Sequence, residues 1–229
     1  MFALATLTSI VLLLQARICY GKQKQSSHYK VVDSLDTNSQ IILTLEHLDN
    51  DKKFVNDSIS SFKNLKAIIT FPTADIARIK IVDGNNERWE IPQKVIPHLD
   101  NTVNRKEFKL NYDIKIDKNP FSIEVTRLSD QKVVFELLPS IVYSDQYISF
   151  STAVDPASKI YGLGESARTK QSLTRRSTHV LWATDTFSSI KDVNLYGSYP
   201  FYLELLQGKA SGAMLFNRYQ PLLPKRKLL

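Results

Sequence analysis

The sequence predicts an all-β protein, built as an antiparallel β-sandwich. Three observations carry that expectation. Short apolar runs recur at intervals of about ten residues, each bounded by turn-forming residues. Several runs alternate apolar and polar side chains with a period of two, the pattern of a strand that buries one face. Helical periodicity is scarce, confined to the apolar start of the chain and a turn or two between Lys52 and Leu65.

Phe2 to Leu14 reads FALATLTSIVLLL, too short an apolar stretch to span a bilayer, which takes ~20 residues. Gln15, Arg17, Lys22 and Lys24 follow at once, so residues 1–21 are expected to be a secretory signal peptide. The expected location is the secretory pathway and then the extracellular space, the cell wall or a vacuole, with no membrane association after cleavage. No retention signal stands at Lys227-Leu228-Leu229. Residues 22–40 are polar and read as irregular at first. Ile41-Ile42-Leu43-Thr44-Leu45 reads as a strand, and Asn56-Asp57-Ser58, the single acceptor sequon, makes Asn56 a candidate glycosylation site.

Ala67 to Phe71 and Ala77 to Val82 are the next strands, and the second alternates cleanly. Asp83-Gly84-Asn85-Asn86 is a turn that leads into Arg88-Trp89-Glu90-Ile91. Phe108 to Ile116 alternates again, with Phe108, Leu110, Tyr112, Ile114 and Ile116 sharing one face. Phe121 to Val125, Val133 to Leu137 and Tyr147 to Phe150 complete the series. Beyond them the character changes: five of the seven glycines lie at or after Gly162. That final third, with its close turns and aromatics, is where a site is sought.

The composition removes several classes of function. The chain is 43% hydrophobic and can therefore build a core. One cysteine rules out a disulfide scaffold or a multi-cysteine zinc site. The net charge of +7 sits mostly at the ends: residues 218–229 carry four basic and no acidic side chains, and residues 1–21 carry Arg17 alone. Residues 22–217 are left at +2, which does not make a nucleic-acid-binding face. His28, His47, His98 and His179 lack metal-ligand spacing, so no metal is expected. No Gly-x-Ser-x-Gly elbow occurs, and Gly162-Leu163-Gly164 is too short for a dinucleotide fingerprint, so no cofactor is expected either. The acids are isolated, and none forms an evident catalytic pair.

Three ordered boxes in the last third go further. They are Tyr161-Gly162-Leu163-Gly164-Glu165, then Trp182-Ala183-Thr184-Asp185, then Asn194-Leu195-Tyr196-Gly197 with Pro200-Phe201-Tyr202. With Ile79 to Asp83, Arg88-Trp89-Glu90-Ile91-Pro92 and Asn119 to Arg127, they resemble the amino-terminal domain of glycoside hydrolase family 31, the α-glucosidase and α-xylosidase family, over roughly residues 29–217. The resemblance is nearest to its plant-type branch. It implies a sandwich of the galactose-mutarotase type, followed in full-length members by a (β/α)₈ barrel. The barrel carries both aspartates of a retaining mechanism, which needs two carboxyls about 5 Å apart. Neither barrel motif occurs within the 229 residues, so no catalytic residue is assigned.

One site residue follows from the resemblance. The family's Trp-x-x-Asp loop reaches into the barrel pocket, where its aspartate bonds substrate hydroxyls, and Asp185 matches that position. A carboxylate can accept two sugar O–H donors. The competing role for Asp185 is that of a turn or cap residue, because residues 185–189 look turn-like. Tyr161, Trp182, Tyr196 and Phe201 are expected to fill the core or a barrel interface. Gly162, Gly164 and Gly197 are read as turn positions.

The pattern holds through Asn217 and then departs, so residues 22–217 read as an incomplete sandwich lacking its last strands, and residues 218–229 as an off-pattern basic tail. The expected function is that of the substrate-loop-bearing domain of a secreted α-glycosidase, inactive without the barrel. Its partner is an α-linked oligosaccharide or polysaccharide. The alternatives are a non-catalytic carbohydrate-binding or interaction module, or a non-functional truncated product.

Overall fold

The computed structural model describes residues 15–17, 29–48, 61–87, 92, 94–95, 103–145, 147–175, 177–187 and 189–216. Among them there are 14 strands and no helix. The first sheet follows β1 (Gln15–Arg17) and comprises β2 (Tyr29–Asp36), β3 (Gln40–His47), β4 (Asn64–Thr73) and β5 (Ile76–Asp83), paired antiparallel in that order. The alternation read from residues 41–45 produces its inner face. Ile41, Leu43 and Leu45 on β3 lie opposite Ile69, Ala67 and Leu65 on β4, and all six are buried. Such directly opposed apolar pairs fix the register, because a one-residue slip would turn every one of them outward.

The second sheet is the antiparallel meander β6 (Tyr112–Lys118), β7 (Phe121–Arg127) and β8 (Lys132–Leu137). Phe121, Ile123, Val125, Tyr112 and Leu137 join the inner face of the first sheet in one core. Two sheets sharing one apolar layer form a β-sandwich. Tyr112 Oη donates to Ile76 O at 2.8 Å and ties the two sheets at the β5 end. Arg105 straps the connection between them over the first sheet. Its guanidinium stands 4.6 Å from the Phe71 ring centroid and pairs with Asp36.

A short pair follows, β9 (Val142–Tyr143) and β10 (Ile148–Ser149). The third sheet has β13 (Val193–Leu206) between β11 (Lys159–Ala167) and β14 (Lys209–Met214), and β12 (Thr178–Val180) pairs with β1. It has its own small core of Ile160, Leu163 and Leu173. Asp155 joins it to the meander. The Asp155 carboxylate pairs with Lys132 of β8, and its backbone N–H donates to Glu204 Oε1 of β13 at 3.0 Å.

Three expectations need correction. Residues 29–36 are not irregular but form β2; one fully inward side chain, Tyr29, left too weak an apolar signal. The strand expected from Phe108 begins only at Tyr112. Asn104 O accepts the N–H groups of Glu107 and Phe108, so a turn captures that stretch and leaves Phe108 half exposed. Asn64 and Leu65 open β4, so the helical turn considered up to Leu65 does not reach its end; residues 52–60 lie outside the described residues.

Candidate functional site

The site is built on the irregular middle of the β11–β13 pair. The ladder shifts register between Gly162 and Gly164 and again between Gly164 and Ser166. Gly162 has φ +103, and a Cβ there would lie 2.4 Å from Phe201 O, so both conformation and close approach demand glycine. The glycines were expected at turns. Instead Gly162 and Gly164 sit within β11 and Gly197 within β13, where they permit bulged pairing.

This irregular backbone is held by side chains. Arg168 donates to Gly162 O at 2.5 Å and to Leu163 O at 2.6 Å. Glu165 Oε2 accepts the Gly197 N–H at 2.8 Å. Burial pulls the Arg168 pKa down, and the Asp192 charge opposes it. Nearby, Ser177 Oγ and His179 Nε2 are 2.8 Å apart, and burial followed by the Arg168 charge lowers the His179 pKa. Among the described residues no cluster of His, Cys, Asp or Glu could hold a metal.

Asp185 sits on the segment leading from β12 to β13. Both neighbours are fastened down. Thr184 donates its N–H to Leu195 O and its hydroxyl to Asn194 O, each at 2.8 Å. Thr186 bonds the Thr184 hydroxyl, and its carbonyl accepts from Tyr196 Oη at 3.3 Å. Asn194 reaches back to Val180 O at 2.8 Å. The Asp185 side chain is exposed and engages no hydrogen bond among the described residues. Among the described residues it is therefore a carboxylate without a hydrogen-bond partner on a loop pinned through both neighbours, with both oxygens open as acceptors.

None of the four aromatics expected in the core or at a barrel interface is fully buried. Tyr196 is 62% exposed, Phe201 40% and Phe187 on the Asp185 loop 81%, while Tyr161 and Trp182 are half-buried. What sequence reasoning missed is the role of Thr184 and Arg168. A threonine flanking an acid and an arginine after a glycine box carry no distinctive spacing. Asn56, Arg88 to Ile91 and most of residues 1–21 lie outside the described residues; residues 15–17 form β1.

A two-sheet antiparallel core thus carries a third sheet with a bulged glycine box, flanked by the Asp185 loop. The family model described as "Glycosyl hydrolase 31 N-terminal galactose mutarotase-like domain" matches residues 66–220, and the chain belongs to that family. The chain is 29% identical to the α-glucosidase of Mucor javanicus, covering 95% of this chain and 25% of that one. It is 26% identical to the α-glucosidase of Hordeum vulgare over 90% of this chain and 25% of the other. Human intestinal sucrase-isomaltase is 32% identical over 82% of this chain and 10% of its own length. The solved glucosidase II alpha subunit in its alpha3-Glc2-bound form shares the fold with a TM-score of 0.53 at 13% identity, covering 83% of this chain and 28% of that one. The chain thus spans about a quarter of the length of these two α-glucosidases and a tenth of sucrase-isomaltase. It corresponds to the family's amino-terminal domain, and the catalytic barrel region is not among its 229 residues.

Proposed function

We propose that this sandwich presents Asp185 to the non-reducing end of an α-linked glucosyl chain, as the sugar-contacting part of a retaining α-glycosidase whose acid and nucleophile belong to the barrel. The observation that carries this is the free Asp185 carboxylate between two threonines fastened to β13. An ionised carboxylate accepts two sugar hydroxyls at once, and charge-assisted bonds of this kind are the strong ones. Because the loop is already held, little ordering entropy is spent on binding. The sandwich supplies orientation and the barrel supplies bond cleavage.

Calorimetric titration of the chain with maltose tests the reading. Binding weakened about tenfold in Asp185→Asn supports it, a step equal to the loss of one charge-assisted bond. Unchanged affinity in Asp185→Asn contradicts it. The same reading carries the expected leader over residues 1–21 and a glycan at Asn56. Secretion from a eukaryotic host should yield a product that starts near Gly21 and loses mass with an N-glycosidase.

A further inference from the structure

A groove of about 300 Å³ opens beside the glycine box, lined by Tyr161, Gly162, Gly164, Glu165, Arg168 and Gln171, together with Ser166. We infer that it is a second carbohydrate subsite, which takes a neutral pyranose ring of the same α-glucan that the Asp185 loop contacts. The inference rests on the proposed sugar-binding function and extends it to residues with no assigned role.

The lining suits a polyol. Glu165 contributes acceptors and Arg168 donors, while the Gln171 amide and the Ser166 hydroxyl can do both. Tyr161 adds an aromatic side chain, half-buried, of the kind that packs against the C–H face of a sugar. An anion site would want arginine without a carboxylate. A site for an apolar ligand would not carry so many polar groups.

The charged members are held in advance. The Gly197 N–H fixes one oxygen of Glu165, and the carbonyls of Gly162 and Leu163 fix the Arg168 guanidinium. Each retains bonding capacity beyond those contacts, since a carboxylate has about four lone-pair sites and a guanidinium five N–H donors. With no Cβ, Gly164 leaves its part of the groove wall to the backbone, whereas at Gly162 the Phe201 carbonyl of β13 fills the place of a Cβ. The groove also adjoins the Asp185 loop through one strand. Glu165 is bonded to Gly197 of β13, and Thr184 to Asn194 and Leu195 of the same strand. Those anchors are two and three residues apart on β13, about 7–10 Å along a strand, which is on the scale of neighbouring sugar units.

Titrating the isotopically labelled 229-residue chain with maltotriose, and reading amide shifts, separates the two sites. Saturable shifts across residues 161–171 are expected, with affinity reduced about tenfold in Glu165→Gln. Glu165→Gln keeps an acceptor for Gly197, and Gln171→Ala, at an exposed position, serves as a second variant that does not disturb the fold. Absence of shifts at 161–171 overturns the inference, as does an equal response to inorganic phosphate, which would mark an anion site. Asp185→Asn should leave the shifts at 161–171 in place. If they persist while residues 182–186 never respond to sugar, the reading of Asp185 fails and the groove stands.

Discussion

Gly162, Asp185 and Asp155 show how much single residues decide here. Gly162 is irreplaceable on two counts, its positive φ and the Phe201 carbonyl in the space a Cβ would take. Gly162→Ala should cost about 1–3 kcal/mol, measured as a lowered urea midpoint. Asp155 gives a pH dependence. Its hydrogen bond from Lys132, then that from the Ala157 N–H, holds the carboxyl below its usual range. A folded-state pKa below the unfolded one means stability that is complete above about pH 4 and is lost as pH falls through the lowered value. Urea midpoints between neutral and acid pH should therefore fall less steeply for Asp155→Asn than for the unaltered chain. The Trp182 to Asp185 box singles out Asp185 by its resemblance to the family's Trp-x-x-Asp loop. Its freedom from local bonds was not legible in the sequence, because that depends on Thr184 and Thr186 finding partners on β13 instead.

Regular alternation predicts the elements at 41–45 and 121–125, and fails where a local turn or a partner decides the outcome. Residues 41–45 and 121–125 bury every second side chain, as their pattern requires. Phe121 is essentially inaccessible and central to the shared core. Phe121→Ala should lower unfolding free energy by about 3–5 kcal/mol through lost burial and the cavity left behind, measured by denaturant titration. The β13–β14 hairpin escaped notice because Gln207-Gly208 is an unusual turn pair. Its two central residues have φ of 50 and 79, the signature of a type I′ turn. Asparagine tolerates that conformation better than glutamine does. Gln207→Asn is expected to raise the thermal midpoint modestly, by about 1 kcal/mol or less in stability. Phe108 illustrates the reverse case, an alternating stretch that a local Asn104 turn diverts from the sheet.

At the scale of the whole molecule, a sandwich with its own core carries a third sheet whose exposed face holds Tyr199, Phe201, Leu205 and Met214. Composition and periodicity reach an all-β chain. Only the ordered boxes reach the family, because they record close backbone approaches rather than core filling. The +7 charge, the first property to suggest nucleic acid, belongs mostly to the chain ends and leaves the sandwich near neutral. With the acid and nucleophile assigned to the barrel, the 229-residue chain should not release nitrophenol from an aryl α-glucoside. Turnover above the background of an Asp185→Asn control would contradict that assignment. On the proposed function, the pinned loop of this family 31 sandwich meets sugar through Asp185. Amide hydrogen exchange of the 229-residue chain, with and without maltose, tests it most directly. Exchange is expected to slow with the sugar at residues 182–186 and along the 194–197 stretch of β13. Exchange there that is indifferent to maltose would contradict it.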